Sequence, residues 1–289
     1  MQGIEGSGSF EEAMAQTCAE LKAIGEMANG LVERVVLVAS SRIPPDVVTI
    51  ADFDRTCDAV IARQEVAHAM LAGQLGEIAA AVDGARAALD GQDEPQRSDR
   101  WIGHISKRLM RRRIAGRSGR STKGQGLLVA LGRCDRLTGI IETHRDMVRG
   151  QRDTAEAALS TLYSRAREQE AGSGEEELPR HSDIERAQAM DRAAMSFSAF
   201  VDALNAAIAD HIVLLHKLTF DLEHALEVYN ILTDMGIVRE ALPGPEAYPH
   251  FSASVARLAD GILPGGRLAP ARHAADRAFE ERFSPRGHG

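Results

Sequence analysis

Aromatic residues are scarce. Phe, Tyr and Trp together make up 4% of 289 residues, with a single Trp. Ala, Leu, Ile and Val must fill most of any core, which favours thin, closely packed helix seams over a bulky interior. Cysteine is scarcer still: Cys18, Cys57 and Cys134 lie far apart with no CxxC spacing. That pattern excludes a disulfide framework and points to a reducing compartment. Each of the three falls at an apolar-periodic position, so each is expected to be a small core residue. Lysine is nearly absent, with 4 Lys against 30 Arg, a ratio that fits G+C-rich coding before it implies arginine-specific recognition.

Other absences narrow the function. The opening MQGIEGSGSFEEAM has no basic region and no apolar stretch, so no secretory leader is expected. No run approaches the ~18–20 apolar residues of a membrane span. The expected location is cytoplasmic, or at most peripheral to a membrane. No alternating pattern reads as a strand, and no internal repeat stands out. No Ser/His/Asp series or Cys/His pairing gives a setting for nucleophilic catalysis, so a non-enzymatic protein is expected, with no cofactor.

What is present is helical. Residues 1–8 are Gly/Ser-rich and read as disordered, and Ser9 with Glu12 forms a capping box opening a helix that runs to about Ser40. Pro44 and Pro45 end it. Asp46 caps a second helix from about Val47 to Asp90, whose apolar residues recur in steps of three and four: Ile50, Phe53, Cys57, Val60, Gln64, Ala67, Leu71, Leu75, Ile78, Val82, Ala85 and Leu89. At ~1.5 Å per residue it would span roughly 65 Å.

A third helix is expected over about Leu127–Glu170. Its ends are apolar, but its middle, Glu142–Thr154, is nearly all polar and reads as projecting from the bundle or facing a wet interface. Ser182 and Glu185 form another capping box, opening a helix to about Met235 with the stripe Val201, Leu204, Ile208, Ile212, Leu215, Leu218, Leu222, Ala225, Tyr229 and Leu232. Gly236 is the natural stop. The remainder from Glu240 is rich in Pro, Gly and Arg, with short helices near Ser252–Ile262 and Ala271–Phe283. The expected fold class is all-α: an elongated bundle of about four long helices with coiled-coil-like seams and short C-terminal helices. Its parts are residues 1–8, an N-terminal hairpin at 9–91, a basic segment and linker at 92–126, a long hairpin at 127–236, and a tail at 237–289.

Charge is distributed unevenly. Arg97–Lys123 holds ten Lys/Arg against Asp99 alone, a local +9 in a chain of net charge −8, which leaves −17 elsewhere. Within it Trp101, Ile105 and Leu109 fall on one helical face, while Lys107, Arg108, Arg111, Arg112 and Arg113 lie mainly on the other. These eight residues are the candidate contact to a membrane or anion. The first reading of the run is a charged connector that pairs with the acidic helices of its own chain or a second copy; the next is a helix on an anionic membrane surface. Nucleic acid is disfavoured by the overall acidity and the single Trp. The glycines from Gly116 to Gly124 do not form a phosphate loop, because Ser121 and Thr122 precede Lys123 instead of following it.

Glu65-x-x-His68 and Asp221-x-x-His224 have the spacing by which helical bundles hold metal pairs, with Glu20, Glu26 and Glu142 as further carboxylates. Ten His and 42 acids in 289 residues give about 1.5 such pairs by accident. Two pairs are no surplus, so no metal ligand is assigned, and a metal-binding bundle is kept only as an alternative. His211 and His216 are expected on the helix surface or at the seam edge.

Residues 100–235 resemble the toxic-anion (tellurite) resistance family. The resemblance is carried by Ile105–Arg113 (ISKRLMRRR), Cys134–Glu170 and Phe200–Leu232 (FVDALNAAIADHIVLLHKLTFDLEHALEVYNIL), a basic segment before long helices. The family's glutamine-rich stretch is missing from Phe200–Leu232. The resemblance implies a role in toxic-anion or envelope stress and carries over no catalytic residue. Together these readings lead to a protein–protein interaction or scaffold protein that self-associates or binds another helical protein.

Overall fold

The computed structural model describes residues 5–41, 45–90, 122–172, 181–234, 248–250 and 268–283. They form five helices: α1 (Glu5–Ser40), α2 (Val47–Asp90), α3 (Thr122–Gly172), α4 (His181–Asp234) and α5 (Leu268–Phe283). No strand occurs among the described residues, and the fold is an all-α, bundle-like arrangement. The eight basic-segment residues Trp101–Arg113 and the expected helix at Ser252–Ile262 lie outside the described residues.

Local chemistry sets most of the boundaries. Asp46 Oδ1 accepts the backbone N–H of Thr49 at 2.6 Å, the N-cap bond expected of that residue. α1 opens at Glu5, so Ser9 sits inside the helix and is not its cap. α1 has no basic residue in its last turn. Arg165 of α3 compensates by donating to the Ala39 carbonyl, placing a cation at the negative end of the helix.

The described helices divide into two compact units, Met1–Met70 with Glu142–Ile212, and Leu71–Ile141 with Val213–Gly289. α2, α3 and α4 each contribute to both.

In the first unit the α2 seam is buried where the spacing places it, from Ile50 and Phe53 through Cys57, Val60, Gln64 and Ala67. Phe53 meets Phe197 and Phe200 of α4 edge-on, with ring centroids 4.9 and 5.8 Å apart. α1 is joined to α2 by Arg63, whose guanidinium grips both carboxylate oxygens of Glu20 at 2.5 and 2.7 Å. It is joined to α3 by Gln151, which donates to the Gly25 carbonyl at 2.9 Å and to Asn29 Oδ1 at 2.8 Å. Gly25 permits that approach: a Cβ there would stand 2.8 Å from Met147 Sδ.

The second unit packs Leu71, Leu75, Ile78 and Val82 of α2 with Leu127, Leu131, Leu137 and Ile141 of α3 and Leu218, Leu222 and Tyr229 of α4, all buried. Lys217 of α4 donates to Asp221 Oδ1 at 2.7 Å and to Asp276 Oδ1 of α5 at 2.8 Å, tying the last helix to α4.

Four expectations are corrected. Cys18 is exposed, whereas Cys57 and Cys134 are buried. The polar middle of α3 does not project: His144, Val148 and Gln151 are buried at four- and three-residue steps. On α4 the buried stripe passes from Ile208 to His211 to Leu215, and Ile212 is 36% exposed. The same helix holds, within Ile184–Tyr229, a window apolar enough to cross a membrane, half of it buried inside the bundle. A seam of this length fills such a window without any membrane.

Candidate functional site

Three imidazoles converge inside the first unit, one from each of three helices. α2 supplies His68, α3 supplies His144, and α4 supplies His211 with Asp210 beside it. Their exposures are 3%, 5%, 0% and 7% in that order, so none is a surface histidine. Each arrives by helical phase. His68 follows Ala67 on the buried edge of α2. His144 stands one turn before Val148, and His211 one turn after Ile208.

His211 is the hub. Its Nε2 lies 2.9 Å from His144 Nδ1 and 3.4 Å from His68 Nε2. His68 Nδ1 in turn lies 3.1 Å from Asp210 Oδ2. The outer nitrogens of the other two rings lie toward backbone carbonyls, His144 toward Leu21 of α1 and His211 toward Ala207, at less than full hydrogen-bond geometry. Burial above all, and then the neighbouring His68 ring, pushes His144 down to about 4. The same two causes, with His144 added, push His211 down to about 2. Both rings are therefore neutral at physiological pH, each with one N–H and one lone pair.

Proton positions set what each nitrogen can offer. A carboxylate only accepts, so His68 Nδ1 carries a proton and donates to Asp210. If His211 carries its proton on Nε2, that single N–H can serve His144 or His68 but not both, and its Nδ1 lone pair then faces the Ala207 carbonyl. If the proton sits on Nδ1 instead, the His211 Nε2 lone pair can accept from a His144 Nδ1–H, and the His144 Nε2 lone pair then lies toward the Leu21 carbonyl. Three imidazoles from separate helices thus meet through ring nitrogens, while the other nitrogen of each ring lies toward a carboxylate or a carbonyl.

Distances say how near the rings are to a metal site. Two nitrogens about 2.1 Å from a tetrahedral ion stand about 3.4 Å apart. The His68–His211 separation is already 3.4 Å, while His144–His211 at 2.9 Å must open by about half an ångström. As the rings stand, no group of three or more His, Cys, Asp or Glu among the described residues is set to hold an ion.

Of the residues weighed from sequence as metal ligands, only His68 belongs to this cluster. Glu65, three residues before His68 on α2, is exposed. Glu20 is committed to Arg63, and Glu26 faces Lys22 at 3.9 Å on the surface. Asp221 and His224 lie in the second unit, where His224 stands 3.9 Å from Asp83 and 3.8 Å from Glu227. His216 is exposed, as expected, whereas His211 is not. No family model, curated protein or solved structure matches the chain. The resemblance to the toxic-anion resistance family gains no support from them.

Proposed function

We propose that this protein is a metal-binding helical bundle that holds one divalent transition-metal ion among His68, His144 and His211. The observation that carries this is the convergence itself: three buried imidazoles from three helices meet with facing ring nitrogens 2.9 and 3.4 Å apart. An all-nitrogen set of imidazoles selects Zn2+, Co2+, Ni2+ or Cu2+ over Mg2+ and Ca2+, which prefer oxygen. The function is binding: the ion joins α2, α3 and α4 and stabilises the fold by mass action.

The test is titration of chelator-treated protein with Co2+ and Zn2+. The expected result is one Co2+ per chain with visible d–d bands, displaced by Zn2+, with a higher Tm for the loaded form. His211→Ala should abolish it, since His211 contacts both other rings. A wild-type chain that binds neither ion, or that binds them equally well after His211→Ala, sinks the reading.

Association with another helical surface is the second reading. It is supported by three large apolar side chains that the first unit leaves in solvent, Leu37 at 68%, Val48 at 74% and Met195 at 72% exposure. Leu37 lies in the last turn of α1 and Val48 in the first turn of α2.

A further inference from the structure

The geometry points to Asp210 as the positioning residue of the metal site, and this rests on the metal-binding reading above: Asp210 holds no ion itself but holds a His68 proton on Nδ1 and aims the ring, which turns Nε2 toward the centre. Among the three outer ring nitrogens, His68 Nδ1 alone meets a charged acceptor, at 3.1 Å in a buried setting. The other two lie toward neutral carbonyls. A neutral imidazole moves its proton between nitrogens at little cost unless an acceptor holds it on one of them. Without Asp210, the His68 proton could sit on Nε2 and donate into the cluster, which would remove one of the three lone pairs an incoming ion needs. Asp210 also places one negative charge behind the ligand ring, which offsets part of the charge of a buried divalent ion.

The chain arrangement makes this economical. Asp210 and His211 are adjacent on α4, so one helix supplies both the hub ligand and the group that aims the ligand from α2. Adjacent residues on a helix are turned about 100° apart. Asp210 therefore reaches His68 from beside the cluster while His211 points into it.

The experiment uses the full chain, as wild type, Asp210→Asn and Asp210→Glu. Long-range 15N–1H correlation spectra of the chelator-treated protein report the tautomers, and Co2+ titration reports affinity. In the wild type His68 is expected as the Nδ1–H form. Asp210→Asn should lose that single tautomer and weaken Co2+ binding by about 10–100-fold while keeping the same three-nitrogen absorption. Asp210→Glu, which keeps the charged acceptor, should recover most of the affinity. An Asn variant that binds Co2+ as tightly as wild type overturns this inference and leaves the metal site standing. A wild type that binds no Co2+ removes the site itself. Should the Asn variant fail to fold, the wild-type spectrum decides alone, because an Nε2–H tautomer at His68 contradicts the assignment outright.

Discussion

At the residue scale, the histidine cluster has a cost that acid exposes. In chelator-treated protein His144 and His211 are neutral when folded, pushed to about 4 and about 2, chiefly by burial. In the unfolded chain both return to about 6.5. The unfolded state therefore binds more protons below that value, and stability falls as pH drops. The loss begins near pH 6.5, stops growing below about 4 for His144, and continues toward about 2 for His211. Each group contributes a slope of up to about 1.4 kcal/mol per pH unit, so pH 5 costs at most about 4 kcal/mol for the pair. Urea unfolding at pH 7.5, 6 and 5 with a chelator present measures it. A double variant, His144→Gln with His211→Gln, should flatten the dependence, and an equally steep wild-type and variant profile would refute the assignment. The cluster itself was poorly legible from sequence. His68 stood out through its neighbour Glu65, for a reason the fold does not use. His211, expected on the helix surface or at the seam edge, is buried, while Ile212 beside it, a member of the expected apolar stripe, is 36% exposed. One residue of phase, about 100° on a helix, separates the two assignments.

At the scale of the element, legibility depended on how strongly a helix repeats. α2 carries an uninterrupted apolar stripe, and its buried face agrees with the spacing at every described position from Ile50 to Val82. The middle of α3 offers Val148 as its one buried aliphatic residue between Ile141 and Ala155, with His144 and Gln151 completing the buried line. A pattern search weighted by hydrophobicity cannot see a core face made of an imidazole and an amide, since their burial is secured by partners on other helices. The legible part of the core should also be the energetically dominant part. Phe53, 2% exposed and edge-on to Phe197 and Phe200, links α2 and α4 through three buried aromatic rings. Phe53→Ala should cost about 3–5 kcal/mol, read as a lower urea midpoint with little change in slope. A cost below about 1 kcal/mol would mean that the trio is not a packing centre.

At the scale of the whole molecule, the sequence placed an all-α fold correctly because periodicity without strand alternation admits few alternatives. What the chain meets in solution is a proposal that rests on two features. The first is charge: +9 across Arg97–Lys123 against −17 on the remainder gives a second copy complementary surfaces to offer. The second is the trio of exposed apolar side chains, Leu37, Val48 and Met195, in the first unit. The two features respond to salt in opposite ways. Ion pairing between exposed charges is largely screened beyond a Debye length of about 10 Å at 0.1 M salt, whereas apolar burial is not. Sedimentation velocity at micromolar concentration is expected to show reversible association. If the apolar side chains drive it, association persists when NaCl is raised from low to high concentration, and it is lost in the triple variant Leu37→Ser, Val48→Ser, Met195→Ser. If the basic run drives it, raising salt dissolves the complex and the triple variant associates as wild type does. A chain that sediments as a monomer at every concentration and salt level rules out self-association by either route.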